Sequence, residues 1–279
     1  MKILLAQSAG FCFGVKRATT IAFEAAGQHS RICSLGPIIH SPQLVKKLED
    51  KGVEVKGTVA DIESGAVIIR SHGVTADDLD EIAKKQLEVI DATCPFVKKA
   101  QEYAAQLSRD GYTVVLVGEK DHPEVKGIVS YAQNGEVFVV GSRQEAEQVP
   151  RQARVGVVAQ TTQSLENLQQ VVDVLLAKSK ELRVYNTICD ATSVRQNEAR
   201  AIAGQADLML VIGGLNSANT TRLAQLCTEI EPRTYHVETA DQIDPSWFSG
   251  VETVGITAGA STPRWIIEKV MERVAEMGK

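Results

Sequence analysis

LEVIDATCPFVKKAQEYAAQLSR, residues 87–109, holds the pattern from which the fold is read. Leu87 to Asp91 form a short aliphatic run with the character of a strand. Cys94 follows, and Pro95 suits the first helical position, where its missing N–H is not needed. Val97, Ala100, Ala104 and Leu107 then recur on one helical face. The unit is strand, thiol, helix.

The same unit stands twice more. Cys12 follows KILLAQSAGF and Cys189 follows LRVYNTI, so one such cysteine falls in each third of the chain. Around them the short aliphatic runs group in fours: 2–7, 31–35, 53–56 and 66–70; then 87–91, 113–117, 136–140 and 154–159; then 182–186, 207–212, 234–238 and 252–257. They alternate with helix-period segments, which predicts an internal triplication of parallel α/β structure. Helix signals agree with this. Ser41-Pro42 opens one helix that closes at Gly52, Thr75 with Asp78 forms a capping box, and Thr262-Pro263 opens the last helix.

Composition sets limits. The 279 residues are 44% hydrophobic and 23% charged, as expected of a water-soluble globular protein with ample core. A net charge of −5 offers no basic excess for nucleic acid. Five cysteines without a disulfide framework fit a reducing cytoplasm. The apolar start is too short for a signal peptide, and no run approaches the ~18 apolar residues of a membrane span.

Polar residues gather at the predicted strand-to-helix junctions. His40 and His122 each lie 28 residues past a cysteine (40 − 12 and 122 − 94), and the run NSANTT, residues 216–221, occupies the third such place. Ser71-His72, Gln160-Thr161-Thr162 and Ser261-Thr262 follow the fourth strands. In open parallel sheets ligands bind outside the carboxyl ends of the strands. Three thiols, Cys12, Cys94 and Cys189, each just before a helix N-terminus, suit a soft or borderline metal: zinc or an iron–sulfur cluster. Absence of any CxxC weighs against both, and buried core thiols remain the alternative. Cys33 and Cys227 read as core. The junction histidines with neighbouring Ser, Thr and Asn suit phosphate or diphosphate. His29 and His236 read as structural. Glu124, in HPEV, is the candidate proton donor, and Asp91 and Asp190 are expected to brace local turns.

The ordered motifs AGFCFGVKRA (9–18), GPIIHSPQ (36–43), RSHGV (70–74), DATCP (91–95), HPEVKG (122–127), AQTTQS (159–164), NTICDAT (186–192) and GITAGAST (255–262) run through almost the whole chain. Together they closely resemble the LytB (IspH) family of 4-hydroxy-3-methylbut-2-enyl diphosphate reductases. The resemblance implies reductive dehydroxylation of the allylic alcohol diphosphate to isopentenyl and dimethylallyl diphosphates, the last step of the methylerythritol phosphate route. It implies one 4Fe–4S cluster on Cys12, Cys94 and Cys189, with an iron open to the substrate hydroxyl. Glu124 would deliver the proton, with Thr161 in the relay and His122 beside them. His40, His72, His122, Ser217, Asn219 and Ser261 would hold the diphosphate, and Thr192 would lie close to cluster and substrate. Electrons would come from a flavodoxin or ferredoxin.

The fold implied is a trefoil of three pseudo-equivalent α/β domains around a central cavity. Its expected bounds are 13–94, 95–187, and 188–279 with 1–12, in a cytoplasmic monomer. Two departures stand out. Ala218 replaces a family serine, removing one hydroxyl contact, and the stretch after Cys189 differs from the common form, which loosens the assignment of Thr192. The competing possibility is a non-catalytic iron–sulfur or zinc module that binds a phosphorylated ligand. A cluster-dependent dehydratase without net reduction is a third.

Overall fold

The computed structural model describes residues 1–277. The chain runs β1 (Lys2–Leu5), α1 (Phe13–Ala26), β2 (Ile32–Leu35), α2 (Pro42–Glu49), β3 (Val53–Lys56), β4 (Ala66–Ile69), α3 (Ala76–Lys84) and β5 (Glu88–Asp91). The succession returns as α4 (Pro95–Arg109), β6 (Thr113–Val117), α5 (Pro123–Ser130), β7 (Val137–Val140), α6 (Arg143–Ala146), β8 (Gln152–Ala159), α7 (Leu165–Leu176) and β9 (Ser179–Val184). It returns again as α8 (Asp190–Ala203), β10 (Leu208–Ile212), α9 (Ala218–Thr228), β11 (Thr234–Val237), β12 (Thr253–Ala258) and α10 (Arg264–Met277).

These strands make three four-stranded sheets of one topology: β3-β2-β4-β5, β7-β6-β8-β9 and β11-β10-β12-β1. Every pairing is parallel. The two central strands of each sheet are almost wholly buried, as expected where helices cover both faces. Outer strands such as β5 and β9 contain only exposed and half-buried residues, and their charges blunt the sheet edge.

The grouping of strands read from the sequence is corrected here. The strand that leads to each cysteine closes the preceding sheet: β5 pairs with β4, β9 with β8, and β1 with β12. Each cysteine therefore stands between the last strand of one sheet and the helix leading to the next. Periodicity identifies a strand but not its partner. β9 also starts earlier than expected, because its SKELRV sequence carries the charges of an edge rather than an aliphatic run.

The chain divides into two compact units. The larger comprises residues 17–39 and 46–189 and holds two sheets. β6 and β8 pack against α4 and α5 on one face, through Ala100, Ala104, Leu107, Val125 and Ile128, and against α7 on the other, through Leu168, Val171 and Leu175. β2 and β4 bury Cys33, Leu35, Val67 and Ile69 with Ile82 of α3. The smaller unit comprises residues 1–16, 40–45 and those from Asp190 onward. Its sheet packs Leu208, Leu210, Ile212 and Ile256 against Ile266, Ile267, Val270 and Val274 of α10, and Met209 and Val211 against α8 and α9. Each such side chain contributes about 1.5–3 kcal/mol by leaving water.

The helix punctuation follows the expected chemistry. Thr75 accepts from the Asp78 N–H at 3.1 Å while Asp78 accepts from the Thr75 N–H at 3.0 Å. Gly52, at φ +89°, ends α2 in the left-handed region.

Candidate active site

In the two sheets of the larger unit the central strands send their connections in opposite directions, which opens a crevice at their carboxyl ends. At the β6–β8 crevice His122 caps α5, its Nδ1 accepting from the Glu124 N–H at 3.1 Å. An accepting Nδ1 leaves the ring hydrogen on Nε2, as a donor. Glu124 is 2% exposed. From β8, Thr161 donates its N–H to Glu124 Oε1 at 2.7 Å and its hydroxyl to Oε2 at 2.9 Å. Burial pushes the Glu124 pKa up to about 7. The two Thr161 bonds, which favour the charged form, oppose that shift without cancelling it.

Two cysteines are tied to the same neighbourhood. The Cys189 N–H donates to the Thr161 carbonyl at 3.0 Å, and the Cys94 N–H donates to the Ser71 carbonyl at 2.9 Å. The His72 ring, next to Ser71, meets the His122 ring edge-on with centroids 5.6 Å apart. His72, His122, Glu124, Thr161, Cys94 and Cys189 are thus one connected set in the larger unit. Asp91 braces the Cys94 turn as expected, accepting from the Thr93 N–H at 2.9 Å. Arg17 adds bonds to the Thr93 and Asp91 carbonyls at 3.1 and 3.4 Å.

The smaller unit holds the remaining candidates. The Cys12 N–H donates to the Ala260 carbonyl at 3.2 Å, and its Sγ accepts from the Val15 N–H at 3.5 Å. Next to Ala260, the Ser261 hydroxyl donates to the His40 carbonyl at 3.2 Å. Ser217 caps α9, and Asn219, 6% exposed, has a buried Nδ2 with no hydrogen-bond partner. The first turn of α9 packs tightly on the β10 and β12 ends: a Cβ at Gly259 would come 2.0 Å from Thr220 Oγ1. Thr192 is buried in the first turn of α8.

Three thiols now differ from two. Cys12, Cys94 and Cys189 are half-buried at helix starts, whereas Cys33 and Cys227 are buried, and burial pushes the Cys227 thiol up to about 12. None is in a disulfide. Accessible thiols with backbone-fixed positions, next to helix N-termini, fit a soft-metal or iron–sulfur ligand set. His29 and His236 bond the Ala25 and Gly213 carbonyls, which are structural tasks.

The model of the LytB protein family matches residues 3–275. This chain belongs to the LytB family. A 4-hydroxy-3-methylbut-2-enyl diphosphate reductase of Syntrophotalea carbinolica is 69% identical over 279 residues, the whole of both chains. One of Geobacter sulfurreducens is 62% identical, over 99% of this chain and 98% of its own. Among solved structures, a reductase described as the terminal enzyme of the non-mevalonate pathway aligns with a TM-score of 0.72 at 47% identity, over 99% of this chain and 100% of its own. The reductase of Plasmodium falciparum aligns with a TM-score of 0.92 at 26% identity, over 100% of this chain and 88% of its own. No helix among the described residues is long and apolar enough to cross a membrane.

In this LytB chain further residues hold the motifs; sequence reasoning places Gln160 at a junction but misses Arg195 and Glu198. Arg195, 3% exposed, donates to the carbonyls of Ala258, Gly10, Ser8 and Ala191 and so fixes the turn before Cys12. Glu198 accepts from the Gln7 and Ser8 N–H groups. Gln160 is fully buried; its Oε1 accepts from the Glu119 N–H at 3.0 Å and its Nε2 has no hydrogen-bond partner. The signal for Arg195 was present: it occupies the helical face shared by Thr192, Ala199 and Ala203.

Proposed function

We propose that this chain removes the hydroxyl of (E)-4-hydroxy-3-methylbut-2-enyl diphosphate with two electrons and two protons. The products are isopentenyl and dimethylallyl diphosphates. The observation that carries this is the buried Glu124–Thr161 pair, with the Glu124 pKa near 7 and the Thr161 carbonyl accepting the Cys189 N–H. Family membership supplies the substrate and implies an iron–sulfur cofactor. Cys12, Cys94 and Cys189 would hold a 4Fe–4S cluster, which when bound supplies electrons and a Lewis-acidic iron for the hydroxyl oxygen.

The chain's own residues then divide the remaining work. A carboxyl near pKa 7 carries a proton in about half of the molecules at neutral pH, the condition for a general acid. Ionised, Glu124 accepts both Thr161 donors; protonated, its O–H turns to the Thr161 oxygen. The threonine hydroxyl is thereby released to donate to the departing oxygen, which leaves as water. Burial keeps bulk water from competing for that proton. His122, through Nε2–H, joins His40, His72, Ser217, Asn219 and Ser261 as diphosphate donors, with the N-terminus of α9 behind Asn219. Thr192, three residues past Cys189 (192 − 189), would lie close to the cluster and contact substrate. The electron donor is a flavodoxin or ferredoxin, and the monomer carries three α/β domains, 13–94, 95–187, and 188–279 with 1–12.

Anaerobic turnover of the allylic diphosphate, with iron and sulfide quantified on the same sample, tests this. Products formed in proportion to cluster content, and only with reductant, are expected. Zinc in place of iron, or product without reductant, would overturn it.

A further inference from the structure

Two of the proposed cluster ligands are followed by an exposed aromatic residue and then by two cations. Phe96, 41% exposed, and Lys98-Lys99 follow Cys94; Phe13, 65% exposed, and Lys16-Arg17 follow Cys12. Neither α1 nor α4 has an acidic residue in its first turn. Both choices run against simple physics. The first turn of a helix favours acids, and a large exposed aromatic forgoes burial. In a chain of net charge −5 such placement calls for a cause.

Arg17 and Lys98 have local tasks: Arg17 bonds the Cys94 turn, and Lys98 pairs with Asp91. Lys99 pairs only with Glu102, and both side chains are more than half exposed, so that pair holds little. Phe96, Lys99 and Tyr103 stand at i, i+3 and i+7 on one face of α4. The Lys99 ammonium sits 4.7 Å from the Tyr103 ring centre, and Tyr103 stacks on Tyr185 at 4.0 Å and 9°. Tyr185 precedes Cys189 by four residues (189 − 185). A stripe of aromatic rings and ammonium groups therefore starts just after one proposed cluster ligand and ends just before another.

This inference rests on the proposed reductase function, which draws two electrons from outside the chain. We propose that the Phe96–Lys99–Tyr103–Tyr185 stripe is the docking surface for a small acidic electron-carrier protein. The carrier, bearing a flavin or an iron–sulfur centre, gives one electron per encounter and leaves oxidised by one electron. Two encounters and two protons convert one C–OH to C–H and water. Carboxylates of the carrier meet Lys99 and Lys98, and its apolar cofactor edge meets Phe96 and the stacked tyrosines, the mixture of aromatic centre and charged rim typical of such contacts. Steering by the lysines makes the encounter fast and salt-sensitive.

The test uses the cluster-loaded enzyme under anaerobic conditions with a flavodoxin as probe. Its Kd is measured by calorimetry, and turnover is driven either by the reduced flavodoxin or by reduced methyl viologen. Lys99→Glu and Phe96→Ser are compared with Lys269→Glu on α10 as a control. In Lys99→Glu the Kd and the KM for flavodoxin should rise about tenfold and lose salt dependence, with viologen-driven kcat and the control unchanged. Wild-type Kd in both stripe variants, or viologen-driven turnover falling in step with flavodoxin-driven turnover, would overturn the docking surface. Wild-type enzyme that fails with viologen sinks the reductase reading instead, while the Kd comparison still judges the surface.

Discussion

Glu124 and Asn219 occupy the same place in two repeats: each is a buried polar residue, two positions past the cap of the helix that follows a central strand. Both oxygens of Glu124 are engaged by Thr161, whereas the Asn219 Nδ2 is buried without a partner. The first arrangement stores a proton. The second leaves a donor whose desolvation costs about 1–3 kcal/mol until a ligand accepts from it. On the proposed function, one scaffold position would serve acid–base chemistry in one repeat and anion binding in another, by a change of side chain and of its neighbour.

The sharpest way to break that comparison is Glu124→Gln. Loss of a general acid should lower kcat by about 10²–10⁴-fold with KM for the diphosphate little changed, read by steady-state kinetics at constant iron content. A fall confined to KM would move Glu124 to the binding side.

The next effect is on stability. Burial raises the Glu124 pKa in the folded protein to about 7, from an ordinary value of 4.5. Between these values the folded state binds more protons than the unfolded one, so this group makes stability fall as pH rises through that window. Glu124→Gln should therefore unfold at higher urea than wild type at pH 8, by at most about 3 kcal/mol. The gap should close at pH 4. In kcat, the same titration predicts a decline above pH 7 that the Gln variant lacks.

Asn219→Ala should act in the opposite compartment of the kinetics. Losing a hydrogen bond to a charged group removes about 1.5–3 kcal/mol, raising KM roughly ten- to a hundredfold with kcat retained. Because the orphaned donor disappears too, the free enzyme should become slightly more stable to urea. The smallest effect belongs to Ala218→Ser, which restores a hydroxyl at the first position of α9. A gain of about 0.5–1.5 kcal/mol in substrate affinity is expected, measured as a lower KM. No change would mean that the hydroxyl does not reach the diphosphate.

Much of this was legible before any coordinates. The cysteines, the junction histidines and Glu124 were singled out because strand, turn and helix leave regular marks, and the structure places them at those strand-to-helix junctions. What escaped was of another kind. Strand partners escaped the periodicity because a run such as LEVID is equally good beside either neighbour; the bounds implied by the resemblance put it within 13–94, and the structure pairs it with β4. Glu198 escaped because its importance lies in the backbone groups it binds, which no side-chain pattern records. The Nδ2 of Asn219 shows the limit from the other side: the residue was named from its motif, but its want of a partner is a fact of three dimensions.

Lys2 of β1 lies opposite Thr253 of β12, almost the full length of the chain away. During synthesis β1 emerges before β12 and must wait, its edge unpaired, until the strands between them have been made. Such a distant pairing forms slowly and late. Cys12 hangs from that strand, and its amide is held by the carbonyl of Ala260. The Cys12 turn is thus seated only after β12 and Ala260 have been made, so on the proposed ligand set a cluster could not be completed before then.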